Sequence, residues 1–150
     1  MEFFKFITSN RIINIGVVAI LVAHTLKLMV DTALNRKITW SRFIGAGGMP
    51  SSHSALVASV TVGTFRIYGF TSPVFALSCV LSLIVMYDAF GVRRAAGKQA
   101  KIINLIIEQF NITDPKIREE KLKEILGHTP LEVMAGAVLG LIIGFLLPIF

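Results

Sequence analysis

Charge is scarce in this sequence. Only 16% of its residues are Asp, Glu, Lys or Arg, where a soluble domain carries about 25%. Hydrophobic residues make up 54% and mean hydropathy is +0.73. Together these argue against an ordinary water-soluble domain and point to an integral membrane protein. Cysteine is nearly absent. The lone Cys79, inside an apolar run, allows neither an intrachain disulfide nor a cysteine-based metal site. It reads as a buried structural thiol, a small hydrophobe. Acids are few, nine against fifteen Lys and Arg. No internal repeat or low-complexity segment is visible. The first apolar run has no Ala-x-Ala cleavage pattern, so it reads as a retained span rather than a signal peptide.

What is present is four apolar segments, at 12–30, 55–70, 74–90 and 131–150. The first is long enough for a helix crossing about 30 Å of hydrocarbon. His24 and Lys27 interrupt its later half, and Asp31 closes it. Arg66 weakens the far end of the second. The sequence therefore predicts an all-α fold: one domain, a polytopic membrane helix bundle with about four transmembrane helices. Residues 31–54 and 91–130 are its polar connectors. In the second connector Ile102, Ile103, Ile106, Ile107 and Phe110 recur at helical spacing. They predict an amphipathic helix lying on the membrane surface or capping the bundle. Asn111 to Pro115 breaks it, and 116–126 reads as a second short helix.

Four spans place both connectors on one side. With Lys27 they hold 12 of the 15 cations, leaving Lys5, Arg11 and Arg66 opposite. Positive charge favours the cytoplasm. The expectation is a bacterial-type inner or plasma membrane protein with both connectors inside and both termini outside. Cations that serve a site count for less in this argument.

The same connectors hold the chemistry. Gly47-Gly48-Met49-Pro50-Ser51-Ser52-His53-Ser54 is small, polar and flexible between two apolar segments. Ser51 or Ser52 there suits a helix N-cap, and free N–H groups at a helix start bind anions. The plain alternative is a cap with His53 as a surface residue. Gly127-His128-Thr129-Pro130-Leu131-Glu132 opens the last span. Thr129, Pro130 and Glu132 match a capping box with proline at the first helical position. In the competing reading Glu132 accepts a hydrogen bond from His128, fixing its tautomer and raising the nucleophilicity of the other ring nitrogen. Two histidines among Lys27, Arg42, Arg93 and Arg94 outline an oxyanion site, with phosphate the anion expected near a bilayer. Lys27 as a snorkelling helix-end residue, and Arg93 and Arg94 as ordinary cytoplasmic-side cations, are the plain readings. Asp88, at the end of an apolar span, needs a partner such as Arg93, Arg94 or Lys27, and reads as a positioning residue. His24 reads as a packed or interhelical hydrogen-bonding residue.

Taken together these residues resemble the type 2 phosphatidic acid phosphatase superfamily. Its signature runs Lys-x6-Arg-Pro, Pro-Ser-Gly-His, then Ser-Arg-x5-His-x3-Asp. Pro50-Ser51-Ser52-His53 is similar to the second part, with Ser52 in place of glycine. His128 to Glu132 is similar to the end of the third, with Glu for Asp. Here 33 residues separate Arg94 from His128, 14 separate Lys27 from Arg42, and Phe43 stands where the signature has proline. Those blocks, with Tyr87-Asp88-Ala89-Phe90-Gly91-Val92-Arg93-Arg94-Ala95-Ala96-Gly97, resemble more closely a small divergent branch, often labelled acid phosphatase or vanadium-dependent haloperoxidase-related.

The resemblance implies a phosphatase with no metal and no other cofactor. His128 would be the nucleophile, His53 the acid–base group and Glu132 the orienting acid. Lys27, Arg42, Ser51, Ser52, Arg93 and Arg94 would bind phosphate. Expected partners are a lipid phosphate substrate and membrane lipids, with room for a homo-oligomer and none for nucleic acid. Phosphatidylglycerol phosphate and phosphatidic acid are the first substrate candidates, and a polyprenyl pyrophosphate the next. A non-catalytic binder of anionic lipid heads or of a partner protein is the rival class. A transporter or flippase is a third.

Overall fold

A computed structural model describes residues 9–36, 48–110 and 127–148. The described residues are mostly helical. Helix α1 spans Arg11–Asn35, α2 Ser52–Tyr68 and α3 Pro73–Tyr87. A π-helical turn, Asp88–Val92, leads into α4, Arg93–Gln109, and α5 spans Pro130–Leu146. Each bundle helix begins on a side-chain cap that satisfies a backbone N–H: Asn10 for α1, Ser51 for α2, Ser72 for α3 and Thr129 for α5. Asp31 does not close α1. The helix runs on to Asn35, whose amide donates to Asp31 across one turn at 2.9 Å.

Helix α2 is the centre, packed against α1, α3 and α5. Its direction against each follows from the pairings. Gly16 of α1 faces Leu56 and Val60, while Gly63 of α2 faces Ile12 and Ile15, so α1 and α2 are antiparallel. Thr61 bonds Ser82 at 2.7 Å and Thr64 bonds Ser78 at 2.8 Å, so α3 is also antiparallel to α2. Helix α5 runs parallel to α2. Ser51 N–H donates to the Glu132 carbonyl at one end, and Arg66 donates to the Gly144 and Leu147 carbonyls at the other. The end of α1, the start of α2, the end of α3 and the start of α5 therefore meet at one end of the bundle. Both polar connectors join that end, as the parity of the apolar segments predicts.

The α2–α5 seam is made by absence of side chain. A Cβ on Gly136 would lie 2.2 Å from the Ser51 carbonyl oxygen, and one on Gly140 2.3 Å from that of Ala55. One on Gly144 would lie 2.6 Å from Val62 Cβ. Spaced every fourth residue, the three glycines share one face and let the backbones touch. The interior is correspondingly small and polar. Ala19, Ala23, Ala55, Ser51, Ser54 and Ser59 are fully buried, while Leu77, Leu83 and Leu146 are mostly exposed. Large apolar side chains outside and small or hydroxylated ones inside is the inverse of a water-soluble core. It suits hydrocarbon surroundings, where close packing and interhelical hydrogen bonds hold helices together.

Two expectations change. The third apolar segment does not end near 90 before a separate surface helix. Pro73 to Gln109 is one helix of 37 residues, about 55 Å if straight, longer than a bilayer core is thick. The change at residue 91 is one of polarity, and Arg, Ala, Lys and Gln are good helix formers. The π turn takes up the extra residue. Within it Ile102, Ile103, Ile106 and Phe110 are exposed and Ile107 half-buried, while Gly97, Ala100 and Asn104 are buried. Cys79 is half-buried rather than buried, because α3 packs mainly on α2 and leaves its other sides open. Among the described residues, α1 and the long helix are apolar and long enough to cross a membrane. Helices α2 and α5 have 17 residues each, about 26 Å. The predicted break at 111–115 and the helix at 116–126 lie outside the described residues.

Candidate active site

Lys27 ends a stripe of buried residues, Ile15, Ala19, Ala23 and Lys27, spaced four apart on α1. At 4% exposure it does not snorkel to the surface. The backbone folds over its stem at Gly48, where φ is +88° and an added Cβ would sit 3.0 Å from Lys27 Cε. Glycine meets both demands, left-handed backbone and close approach. His24, one turn earlier on α1, is half-buried.

The chain then turns through a cis Met49–Pro50 peptide into the α2 start. Ser51 is the N-cap, as expected for one of the two serines. Its hydroxyl accepts from the Ser54 N–H at 3.4 Å and from the Ser54 hydroxyl at 3.0 Å. Ser52 is buried, and its hydroxyl takes no hydrogen bond among the described residues. His53 is exposed in the first turn of α2.

Gly127 threads past the start of α4, where a Cβ would lie 2.3 Å from the Arg94 nitrogen. Next, His128 N–H donates to the Ala89 carbonyl of the π turn at 3.1 Å. This bond and Ser51 N–H to Glu132 tie three chain segments together beside Lys27. The neighbourhood of the two helix starts, which the sequence cannot settle, is thus built from backbone hydrogen bonds.

The two readings of Glu132 do not compete. Its Oε2 accepts from the Thr129 N–H at 2.8 Å, closing the capping box, and lies 3.2 Å from His128 Nδ1. A carboxylate oxygen has two acceptor positions, so one atom serves the cap and the histidine. The tautomer that donates Nδ1–H to this carboxylate leaves the Nε2 lone pair available. The His128 side chain is only 11% exposed. Burial holds its pKa below the usual 6.5, with the Lys27 and His53 charges acting the same way. The hydrogen bond and charge of Glu132 act against that shift. A neutral, oriented imidazole among cations is suited to attack an electrophile bearing negative charge.

Asp88 has the partner it needs. Arg93 Nε donates to its carboxylate, and the π turn brings residues five apart together. Both side chains are substantially exposed, so this ion pair contributes little to stability. Arg94 is half-buried, with no ion pair among the described residues. Arg42 lies outside the described residues. Among the described residues, no group of three His, Cys, Asp or Glu side chains is placed to hold a metal ion.

The geometry thus gathers Lys27, Ser51, Ser52, His53, His128 and Glu132, with Asp88, Arg93 and Arg94 on the adjoining turn. The sequence reading missed three contributors: the π turn, the Gly127 approach and the glycine ladder at 136, 140 and 144. Only the last had a visible signal, small residues at every fourth position of an apolar segment.

Comparison with known proteins covers nearly the whole chain. A family model described as the divergent PAP2 family matches residues 8–143. The uncharacterized membrane protein YuiD of Bacillus subtilis (strain 168) is 39% identical over 142 residues, covering 88% of this chain and 90% of that protein. No solved structure matches. The matched region takes in the α2 start, the π turn and the α5 start, the segments that build the two-histidine site, and the chain belongs to the divergent PAP2 family.

Proposed function

We propose that the protein is an integral membrane phosphatase that hydrolyses a lipid phosphomonoester through a phosphohistidine on His128. The observation that carries this reading is the His128–Glu132 couple, set beside buried Lys27 where two helix N-termini meet. Each N-terminus presents the positive end of a helix dipole. Positive ends facing buried positive charge are stabilised by an anion, and phosphate offers three oxygens to share.

In this mechanism Nε2 of His128 attacks phosphorus in line, while Glu132 accepts a hydrogen bond from Nδ1–H and stabilises the positive charge that forms on the ring. Lys27, Arg94, Ser52 and N–H groups of the first turn of α2 hold the equatorial oxygens. Arg94 is preferred to Arg93, whose guanidinium is engaged by Asp88. Arg42 is a further candidate. His53 protonates the departing alkoxide, then takes a proton from the water that cleaves the phosphohistidine. Four crossings, by α1, α2, α3 and α5, with the cationic end in the cytoplasm, suit substrates exposed on that leaflet. Phosphatidylglycerol phosphate and phosphatidic acid are of that kind.

The test is phosphate release by purified protein from a panel of lipid phosphates, with and without chelator. Release from at least one, lost in His128→Ala, is expected. No release by the wild type, or undiminished release by the variant, overturns the reading. The rival, a non-catalytic binder of anionic headgroups, needs the cations but not a histidine held by a carboxylate. Vanadate binding that survives His128→Ala would favour it.

A further inference from the structure

Helix α4 carries an apolar face that neither the bundle nor the chemistry uses. Gly97, Ala100 and Asn104 are buried and stand on one side of the helix. Ile102, Ile103, Leu105 and Ile106, with Phe110 at the C-cap, are all exposed. At 3.6 residues per turn they fill an arc of roughly 160°, centred nearly opposite the buried side. Arg94, Lys98 and Lys101 line one edge of that arc. Lys98 and Lys101 are exposed, and none of the three has an ion pair among the described residues.

The length of the preceding helix places this face at the membrane boundary. The 15 residues of α3 and the 5 of the π turn rise about 30 Å, the thickness of a hydrocarbon core. A crossing that starts at Pro73 is therefore complete at Val92, and α4 begins where headgroups do. Running straight on, α4 would hold its large apolar side chains in water, although burying such a face is favourable and a large exposed one marks an interaction site. The π turn is where the axis can change direction, since it interrupts the regular hydrogen-bond ladder.

We propose that α4 is a docking surface for an anionic membrane leaflet, turned at the π turn to lie along the headgroups with Ile102, Ile106 and Phe110 toward the acyl chains. This docking is independent of phosphatase activity. Two observations select this partner over a second copy of the chain. The arc is broad, whereas a single facing helix covers a narrow seam. An apolar phase covers all of it, as it does for helices that lie in a membrane interface. The edge is basic, with Lys98 and Lys101 placed to snorkel from the apolar arc toward lipid phosphates. Each cation near an anionic leaflet adds attraction, while a second copy brings more cations and no counter-charge.

Two measurements test this on the full chain in vesicles of mixed phosphatidylglycerol and phosphatidylcholine. Phosphatidylglycerol is a phosphodiester, so it is not a substrate for a phosphomonoester hydrolase and reports on the surface rather than the site. In the first, spin labels are placed one at a time by Ile106→Cys, Phe110→Cys or Lys101→Cys in a Cys79→Ser background. Oxygen concentrates among acyl chains and a nickel chelate stays in water. The ratio of oxygen to nickel collisions is expected to be severalfold higher at positions 106 and 110 than at 101. Equal ratios at the three positions overturn the proposal. Spin–spin broadening at position 106 also overturns it, by seating a second copy on the arc. In the second, phosphatidylglycerol and phosphatidylcholine, each with a diazirine beside the headgroup, are compared as photolabels mapped by mass spectrometry. Phosphatidylglycerol should label the stretch from Lys98 to Phe110 severalfold more than phosphatidylcholine does. Combining Lys98→Gln with Lys101→Gln should remove that preference. Equal labelling of the wild type by the two lipids overturns the anionic leaflet as the partner.

Discussion

The two ends of the α2–α5 pair use cations in opposite ways. At the far end Arg66 lies on the C-terminus of α5 and donates to two of its last carbonyls at 2.7 Å. There a positive charge meets the negative end of a helix dipole, and orphan acceptors are filled. At the near end buried Lys27 sits with the two histidines where α2 and α5 both begin, so its positive charge meets positive dipole ends. The first arrangement is complete by itself. The second is the end at which the proposed phosphatase reading places its anionic substrate. A cation therefore meets opposite electrostatic surroundings according to which helix terminus it lies against.

The sharpest break in this comparison is at the nucleophile. His128→Ala should lower phosphate release at least about a thousandfold while thermal unfolding in detergent stays near wild type. A large loss of stability instead would make His128 a structural residue. Next is the seam that keeps the two helices parallel and both starts together. Gly140→Ala places a Cβ where the Ala55 carbonyl oxygen lies, and should cost about 1–3 kcal/mol by overpacking. Unfolding midpoints and activity should fall together, since the same seam aligns the site.

The contrast itself is tested by a pair of variants. Arg66→Met removes two charge-assisted hydrogen bonds and should lower stability by about 1.5–3 kcal/mol, with kcat retained. Lys27→Met should do the opposite. Activity should fall about a hundredfold or more. Equal effects of the two variants on kcat would erase the distinction between the ends. The smallest effect is on pH. The His128 pKa is lowered by burial and, in part, by Lys27. Attack needs neutral His128, so activity is lost as pH falls through that pKa, on the acid side of 6.5. Residual activity of Lys27→Met should show this acid limb shifted to higher pH, and Glu132→Gln to lower pH. Kinetics or His128 NMR titration reads the shift, and one in the wrong direction would separate these residues electrostatically.

Much of the site was legible because its signals are local. A cap is recognised within three residues, so Ser51 and the Thr129–Glu132 box could be read directly. The π turn was not, since nothing in Asp88-Ala89-Phe90-Gly91-Val92 announces that the helix continues through a polarity change. The double use of Glu132 was hidden too. Sequence spacing can offer one carboxylate two partners, but only atomic positions tell whether one oxygen reaches both. Arg93 and Arg94 look equivalent in the sequence. The wider turn sends the first toward Asp88.

By itself the sequence determined that the chain is helical and apolar, where most of its helices begin, and that the two histidines share one end of the bundle. These follow from hydropathy, capping chemistry and the parity of alternating segments, which act over short stretches or by simple counting. The tertiary structure alone decided that α2 and α5 run side by side in contact and that Lys27 is buried beneath Gly48. Those outcomes depend on which distant backbones can approach. Here that is set by glycines whose missing side chains matter only once their partners are in place.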